Sequence, residues 1–416
     1  MFPSEEYWVE VDEEGRLVLP PDIREQFGIR PGAQLRVRKG AKSLRFHSPV
    51  SHLAKVYVEL TSRCNLSCLT CIRNSWQETL GDMNDQLFNL LLDSLMHLHS
   101  RPDVFIGGFG EPLVFPDIAG KVAKLKSAAR KVELITNGML LTKELSRELL
   151  LAGLDVLWVS IDGATPEHFA DLRLGAALPT VFDNIITLSR LRTSMNPALE
   201  IGISFVAMRK NIADLPALIR MSTRLGVSRY MVTNVLPYTE EMCSESLYTR
   251  SLDTVDSAPS FWSPRIDLPR IDMNPDGQEA LVQTMRYRNN IRLNNVPLNQ
   301  EHGRCPFVEQ GSVAIDWDGA VSPCLPLMHH HTSYLNDRQR SIRRHSVGNL
   351  IEQNLEAIWS APDYVAFRKR VYEFAFSPCT LCGGCDLADS NEEDCFGNTF
   401  PTCGGCLWAQ GVIQCP

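Results

Sequence analysis

Between Lys55 and Val296 the chain alternates short β-prone runs with amphipathic stretches, and that alternation restricts the fold more than any other feature. The strand candidates are Val56–Leu60, Val104–Gly107, Val132–Thr136, Val156–Ile161, Ile201–Val206 and Tyr230–Asn234. Helical periodicity falls between them, over Asn84–His99, Ile118–Arg130, Lys143–Leu151, Thr180–Arg192 and Ile212–Leu225. Repetition of strand then helix predicts a parallel α/β sheet with functional residues at the carboxyl ends of its strands. Six units are too few for a closed eight-strand barrel.

At 416 residues the chain exceeds one ordinary core, and 44% hydrophobic with 22% charged residues excludes a disordered or fibrous protein. Three domains are expected: a β-rich module at 1–49, the α/β unit at 50–300 and a cysteine-rich region at 301–416. No apolar run approaches a membrane span, since Leu149–Leu154 stops at Asp155. The acidic start MFPSEEYWVE is unlike a signal peptide, so a cytoplasmic location is expected. A net charge of −8 argues against nucleic acid as the ligand of the whole chain. Residues 240–300 are rich in Ser, Pro, Asp and Asn, with a helix expected over Asp276–Tyr287.

The 13 cysteines are unevenly placed: Cys64, Cys68 and Cys71 together, Cys243 alone, and nine between Cys305 and Cys415. A reducing compartment disfavours disulfides, and short clustered spacings point to metal. Cys243 fits an ordinary structural thiol.

Cys64-Asn-Leu-Ser-Cys68-Leu-Thr-Cys71 follows the first strand of the α/β unit directly. Three thiolates on one tight loop can hold three irons of a cubane cluster, leaving the fourth iron open to a substrate or cofactor. Zinc is the competing reading, and the missing fourth ligand nearby counts against it. This C-x3-C-x2-C loop resembles the signature of the radical S-adenosylmethionine (SAM) superfamily, with Thr70 where many members carry an aromatic residue. The resemblance implies a partial (β/α)6 barrel. It also implies a [4Fe-4S] cluster whose open iron binds SAM, and a low-potential donor whose electron yields a 5′-deoxyadenosyl radical. Phe105-Ile-Gly-Gly-Phe-Gly-Glu-Pro112 resembles the family's GGEP element, which makes Gly107, Gly108, Gly110 and Glu111 candidates for the SAM amino group. Glycines there are expected to let backbone approach the ligand. Thr136 and Asn137 end the third strand, Ser160 and Asp162 the fourth, and Asn234 the sixth. All five resemble polar positions that contact SAM in relatives.

Cys305, Gly319 and Cys324 form a C-x13-G-x4-C pattern that resembles the opening of a SPASM domain, which carries two auxiliary [4Fe-4S] clusters. Gly311–Asp318 and Gly319–Ser322 are expected to form a hairpin there, with short helices over Leu350–Trp359 and Tyr364–Phe374. The run Cys379, Cys382, Cys385, Cys395, Cys403, Cys406, Cys415 departs from the usual SPASM spacing. Its assignment to clusters therefore stays open, as does a zinc ribbon for part of it. The closing segment from Pro401 to Pro416 resembles the maturases, or cofactor-modifying proteins, of tungsten-containing aldehyde:ferredoxin oxidoreductases. That implies a peptide, protein or cofactor substrate and such an oxidoreductase as partner. Modification of a ribosomal peptide or a sulfatase is the alternative within the same class. The acidic residues Asp386, Asp389, Glu392, Glu393 and Asp394 are expected to be a solvated loop. His329-His330-His331 is expected to be a flexible polar loop, since adjacent residues cannot all face one ion.

VDEEGRLVLPPDIREQFGIRPGAQLRVRKG resembles the AbrB/MazE-type swapped-hairpin domain, whose members are dimers and often bind DNA. In this module Asp22 is expected to cap the short helix Ile23–Phe27. An iron–sulfur transcription regulator is therefore a second hypothesis. Residues 1–48 carry eight basic and eight acidic residues, so counterion release offers little, and dimerisation or partner docking is favoured over DNA.

Overall fold

The computed structural model describes residues 8–39, 44–76, 78–98, 100–165, 172–248, 266–268, 291–293, 296–297, 305–335, 337–377, 379–382 and 385–415. The helix expected over Asp276–Tyr287 lies outside them. Two hairpins open the chain, β1 (Glu10–Val11) with β2 (Leu17–Val18) and β3 (Arg36–Lys39) with β4 (Leu44–His47). The helix between them, Pro21–Gln26, buries no residue and follows Pro20, with Asp22 in its first turn rather than at the cap. A proline already fixes the entry angle, and an acid in the first turn favours the positive end of the helix dipole.

Six parallel strands follow in spatial order identical to chain order: β5 (Lys55–Val58), β6 (Asp103–Ile106), β7 (Val132–Thr136), β8 (Val156–Ser160), β9 (Glu200–Ala207) and β10 (Arg229–Asn234). They are apolar on both faces because helices cover one face and the barrel interior fills the other. The helices begin where side chains satisfy free N–H groups: Asn84 accepts from Leu87 at 2.8 Å and Thr142 from Leu145 at 3.2 Å. Helix Asp85–His97 then sets Leu87, Phe88, Leu91 and Leu95 into the core, and helix Leu178–Met195 adds Val181, Ile185 and Leu188. The helix expected over Ile212–Leu225 is broken into Ile212–Asp214, Leu215–Arg220 and Ser222–Leu225. Pro216 starts the middle piece and cannot donate to the turn before it.

Short strands β11 (Ile266–Leu268), β12 (Ile291–Leu293) and β13 (Val296–Pro297) form a small separate sheet. The expected hairpin is present as β14 (Ser312–Ile315) and β15 (Ala320–Ser322), turning at Gly319 with φ +86°. It does not stand apart, because β14 pairs in parallel with β5, Ser312 opposite Lys55, and extends the barrel sheet. The row ends with β18 (Gly348–Asn349). A second hairpin, β16 (His331–Leu335) with β17 (Arg338–Ile342), corrects the flexible loop expected at the histidines. His329 and His331 are buried, and burial holds the His331 imidazole down at about 4. The acidic loop is also more structured than expected. Asp394 is buried and accepts from Ser377, Phe396 and Asn398, while Arg338 pairs with Asp386 and Asp389.

Candidate active site

A cleft of about 300 Å³ opens at the carboxyl ends of β5–β10. Cys64, Cys68 and Cys71 form one side of it, on the loop that leaves β5. That loop is pinned from both flanks: Ser67 and Leu69 donate backbone bonds to Leu174 and Leu172, and Asn74 donates to the Cys68 carbonyl at 2.9 Å. Two guanidinium groups attend the thiols. Arg73 Nε lies 3.4 Å from Cys71 Sγ, and Arg173 lies 3.9 Å from Cys68 Sγ while pairing with Asp162 at 2.7 Å. Burial raises the Cys64 and Cys68 thiols above their ordinary value and the arginines only partly oppose it, so metal must displace protons here.

The opposite side is the 107–111 loop. Gly108 and Gly110 are also required by protein contacts. A Cβ on Gly108 would lie 2.5 Å from Glu59 Oε1, and one on Gly110 only 2.0 Å from the Thr61 carbonyl. The loop therefore packs against the segment that follows β5, and residues 107–111 line the cleft. Glu111 is buried, accepting from Leu113 N, Thr136 Oγ1 and Asn137 N at 3.0, 2.7 and 2.7 Å; burial raises its pKa against those bonds. Asn137 reaches back to Asn65 at 2.9 Å and ties the third strand end to the cysteine loop. Gly107, Thr136, Asn137, Ser160 and Asn234 all line the cleft. Asp162 lies behind the wall, fully buried, where it accepts from Val206 N and orients Arg173.

Residues 412–415 run along the rim of the cleft. Gln414 N donates to Thr233 Oγ1 at 2.8 Å, Asn234 donates to the Val412 carbonyl at 2.9 Å, and Trp408 donates to Cys415 Sγ at 3.2 Å. On the other side of Trp408 is a second, narrower cavity whose lining includes Cys305, Cys324, Cys403 and Cys406. Cys64, Cys68 and Cys71 line the first cavity and Cys305, Cys324, Cys403 and Cys406 the second, and within each set the thiols lie close enough to feel one another's charge. Several thiolates on one cavity wall suit a cubane, in which each takes a different iron.

The residues that sequence reasoning missed are Arg73, Arg173, Ser204 and Trp408. None carries a local signal, because each meets the site through tertiary packing. His329 was also missed. Its ring is stacked on Trp76 at 4.1 Å and held between Glu59 at 2.8 Å and Glu78 at 2.6 Å, and Glu59 in turn accepts Phe109 N. Burial opposes the imidazolium charge, but the two carboxylates raise its pKa to about 9.

Residues 58–197 match the radical SAM superfamily model and residues 305–386 the SPASM iron–sulfur cluster-binding domain model. The chain is 32% identical over 366 residues to the tungsten-containing aldehyde ferredoxin oxidoreductase cofactor-modifying protein of Pyrococcus furiosus, covering 87% of this chain and 96% of that protein. The chain belongs to the SPASM-type radical SAM family. It is also 24% identical to the Fe-coproporphyrin III synthase of Methanosarcina barkeri, over 90% of this chain and 94% of that one. Among solved folds, anSMEcpe with bound AdoMet superposes at TM-score 0.51 (18% identity, 86% of this chain, 96% of that one). Streptococcus suis SuiB bound to S-adenosylmethionine does so at 0.51 (16%, 83% and 73%). Radical SAM chemistry with a [4Fe-4S] cluster and SAM, and SPASM auxiliary clusters, are therefore properties of this enzyme. No helix among the described residues is long and apolar enough to cross a membrane.

Proposed function

We propose that this radical SAM enzyme matures a tungsten-containing oxidoreductase by modifying its cofactor or a peptide of it. The observation that carries the reading is the near full-length match to the Pyrococcus furiosus protein, joined to a cleft that brings Cys64, Cys68 and Cys71 together with the ends of β6 to β10. The three thiols would hold a [4Fe-4S] cluster with one free iron, which with SAM bound would supply radical chemistry for hydrogen abstraction. The 107–110 backbone would meet the SAM amino group, and Arg173, already paired with Asp162, would present N–H donors to its carboxylate. Ser160, Asn137 and Asn234 would serve the remaining polar groups. Residues 412–415, with Trp408, would limit the entry of water and bound the space left for substrate.

In the SPASM region, Cys305, Cys324, Cys403 and Cys406 hold one auxiliary cluster. Cys379, Cys382, Cys385 and Cys395 hold the other. Cys415 faces the catalytic cleft and serves neither. The N-terminal module joins two copies of the chain, a reading supported by the exposure of Val11, Val18, Val37, Leu44 and Phe46 on its hairpins. Anaerobic reconstitution should load about twelve irons per chain. Under strong reductant the protein should release 5′-deoxyadenosine, and addition of the immature tungsten oxidoreductase should yield product in step with it. A fully loaded protein that never cleaves SAM overturns the reading, as does cleavage with no change in that partner.

A further inference from the structure

The guanidinium of Arg340 is buried at 6% exposure against the four-cysteine cavity, and each of its nitrogens donates to a backbone carbonyl. Nε meets Ala388 at 2.5 Å, NH1 meets Gly405 at 2.7 Å and NH2 meets Ser390 at 3.0 Å. Gly405 lies between Cys403 and Cys406, and a Cβ there would lie 2.7 Å from the guanidinium, so the thiol-bearing turn is moulded on this cation. No carboxylate forms an ion pair with it among the described residues. Asp389, the acid whose field it feels, is bound by Arg338 at 2.7 Å. Burial pushes the Arg340 pKa down, and Cys406, Cys379, Asp389 and Cys403 partly oppose it. A buried charge hydrogen-bonded only to carbonyls lacks a counter-ion, and besides Asp389 the anions whose field reaches it are the thiolates of Cys406, Cys379 and Cys403.

We infer that Arg340 raises the reduction potential of the auxiliary cluster held by Cys305, Cys324, Cys403 and Cys406. The inference rests on the ligand grouping proposed above. Four thiolates leave no iron free for substrate, so the site can exchange electrons only. Reduction adds one electron, breaks no bond and deepens a negative charge that Arg340 faces directly. The electron comes from the low-potential donor that the family's chemistry already requires. Arg340 is thus a positioning and tuning residue; it does not touch substrate.

The test uses the full chain carrying Cys64→Ala, Cys68→Ala and Cys71→Ala, so the auxiliary sites are read without SAM chemistry. Failure of the tungsten reading leaves this readout untouched. An EPR-monitored redox titration locates the step that disappears in Cys406→Ala. At the midpoint of that step, Arg340→Gln should lower the reduced-to-oxidised ratio about tenfold, which is about 59 mV for one electron, and Arg340→Lys should stay near the parent. Ser333 is the cross-strand partner of Arg340 and lines the same cavity, so Ser333→Asp supplies a counter-ion while keeping all three arginine bonds. It should lower the ratio as Arg340→Gln does. If Arg340→Gln fails to load iron, Ser333→Asp decides: a lowered ratio supports the inference. A ratio within twofold of the parent, with full iron content, overturns it.

Discussion

Cys64, Cys68 and Cys71 share one short loop beside an open cleft of about 300 Å³, whereas Cys305, Cys324, Cys403 and Cys406 arrive from three separate stretches of chain around a narrower cavity of about 60 Å³. The two sites use the same ligand and differ in what surrounds it. At the open corner Arg173 is neutralised by Asp162, and Arg73 is half-buried. In the other cavity the Cys305 thiol is pushed up to about 12 by burial, and Arg340 in the cavity lining has no carboxylate ion pair among the described residues. One site is built to receive a ligand and the other to hold charge. Access, more than donor chemistry, separates a catalytic iron–sulfur site from an electron-transfer one.

Four perturbations break or sharpen this contrast. The largest effect is expected from Cys68→Ala, which should remove about four irons and take SAM cleavage to background while the auxiliary clusters remain; loss of all iron would merge the two sites. Cys406→Ala should do the reverse, losing about four irons yet still releasing 5′-deoxyadenosine, now uncoupled from product. Product formation in step with cleavage would show the closed site to be dispensable. Glu111→Gln keeps the shape of the open corner but weakens three hydrogen bonds, so SAM affinity should fall about tenfold by calorimetry.

The smallest effect concerns the clamp between the two halves. The folded pKa of His329, about 9, is raised above the ordinary 6.5, so its contribution is full below pH 6.5 and lost as pH climbs through 9. Thermal melts should show wild type losing on the order of 2–3 kcal/mol across that window, and His329→Gln losing none of it. Equal pH slopes for the two proteins would remove His329 as the coupling element.

The contrast also explains what was legible beforehand. The barrel was, because strand–helix periodicity is local, and β5–β10 lie within a residue or two of the expected runs. The open corner was too, since the two cysteine spacings within one loop and the polar ends of successive strands need no tertiary information. The grouping of the C-terminal cysteines was not, because Cys305 and Cys406 meet only after two hairpins have folded. The histidine run misled for a similar reason. His329 is polar in sequence, and only Glu59 and Glu78 from distant segments make its burial tolerable. Gly108 and Gly110 have a further cause that the motif does not show, which is room for Glu59 and Thr61 in the segment after β5.

The pairing of β14 with β5 has a consequence for synthesis. As the chain leaves the ribosome, β5 to β10 can assemble in order, but the outer edge of β5 stays unpaired until residues 312–315 emerge far downstream. That edge carries Glu59 and leads straight into the cysteine loop, so the cluster-binding strand is the last of the barrel to be fastened. A nascent chain is thus left with an adhesive border for most of its translation, and the interval before β14 arrives is when holdase chaperones and cluster-delivery proteins would have unobstructed access to it.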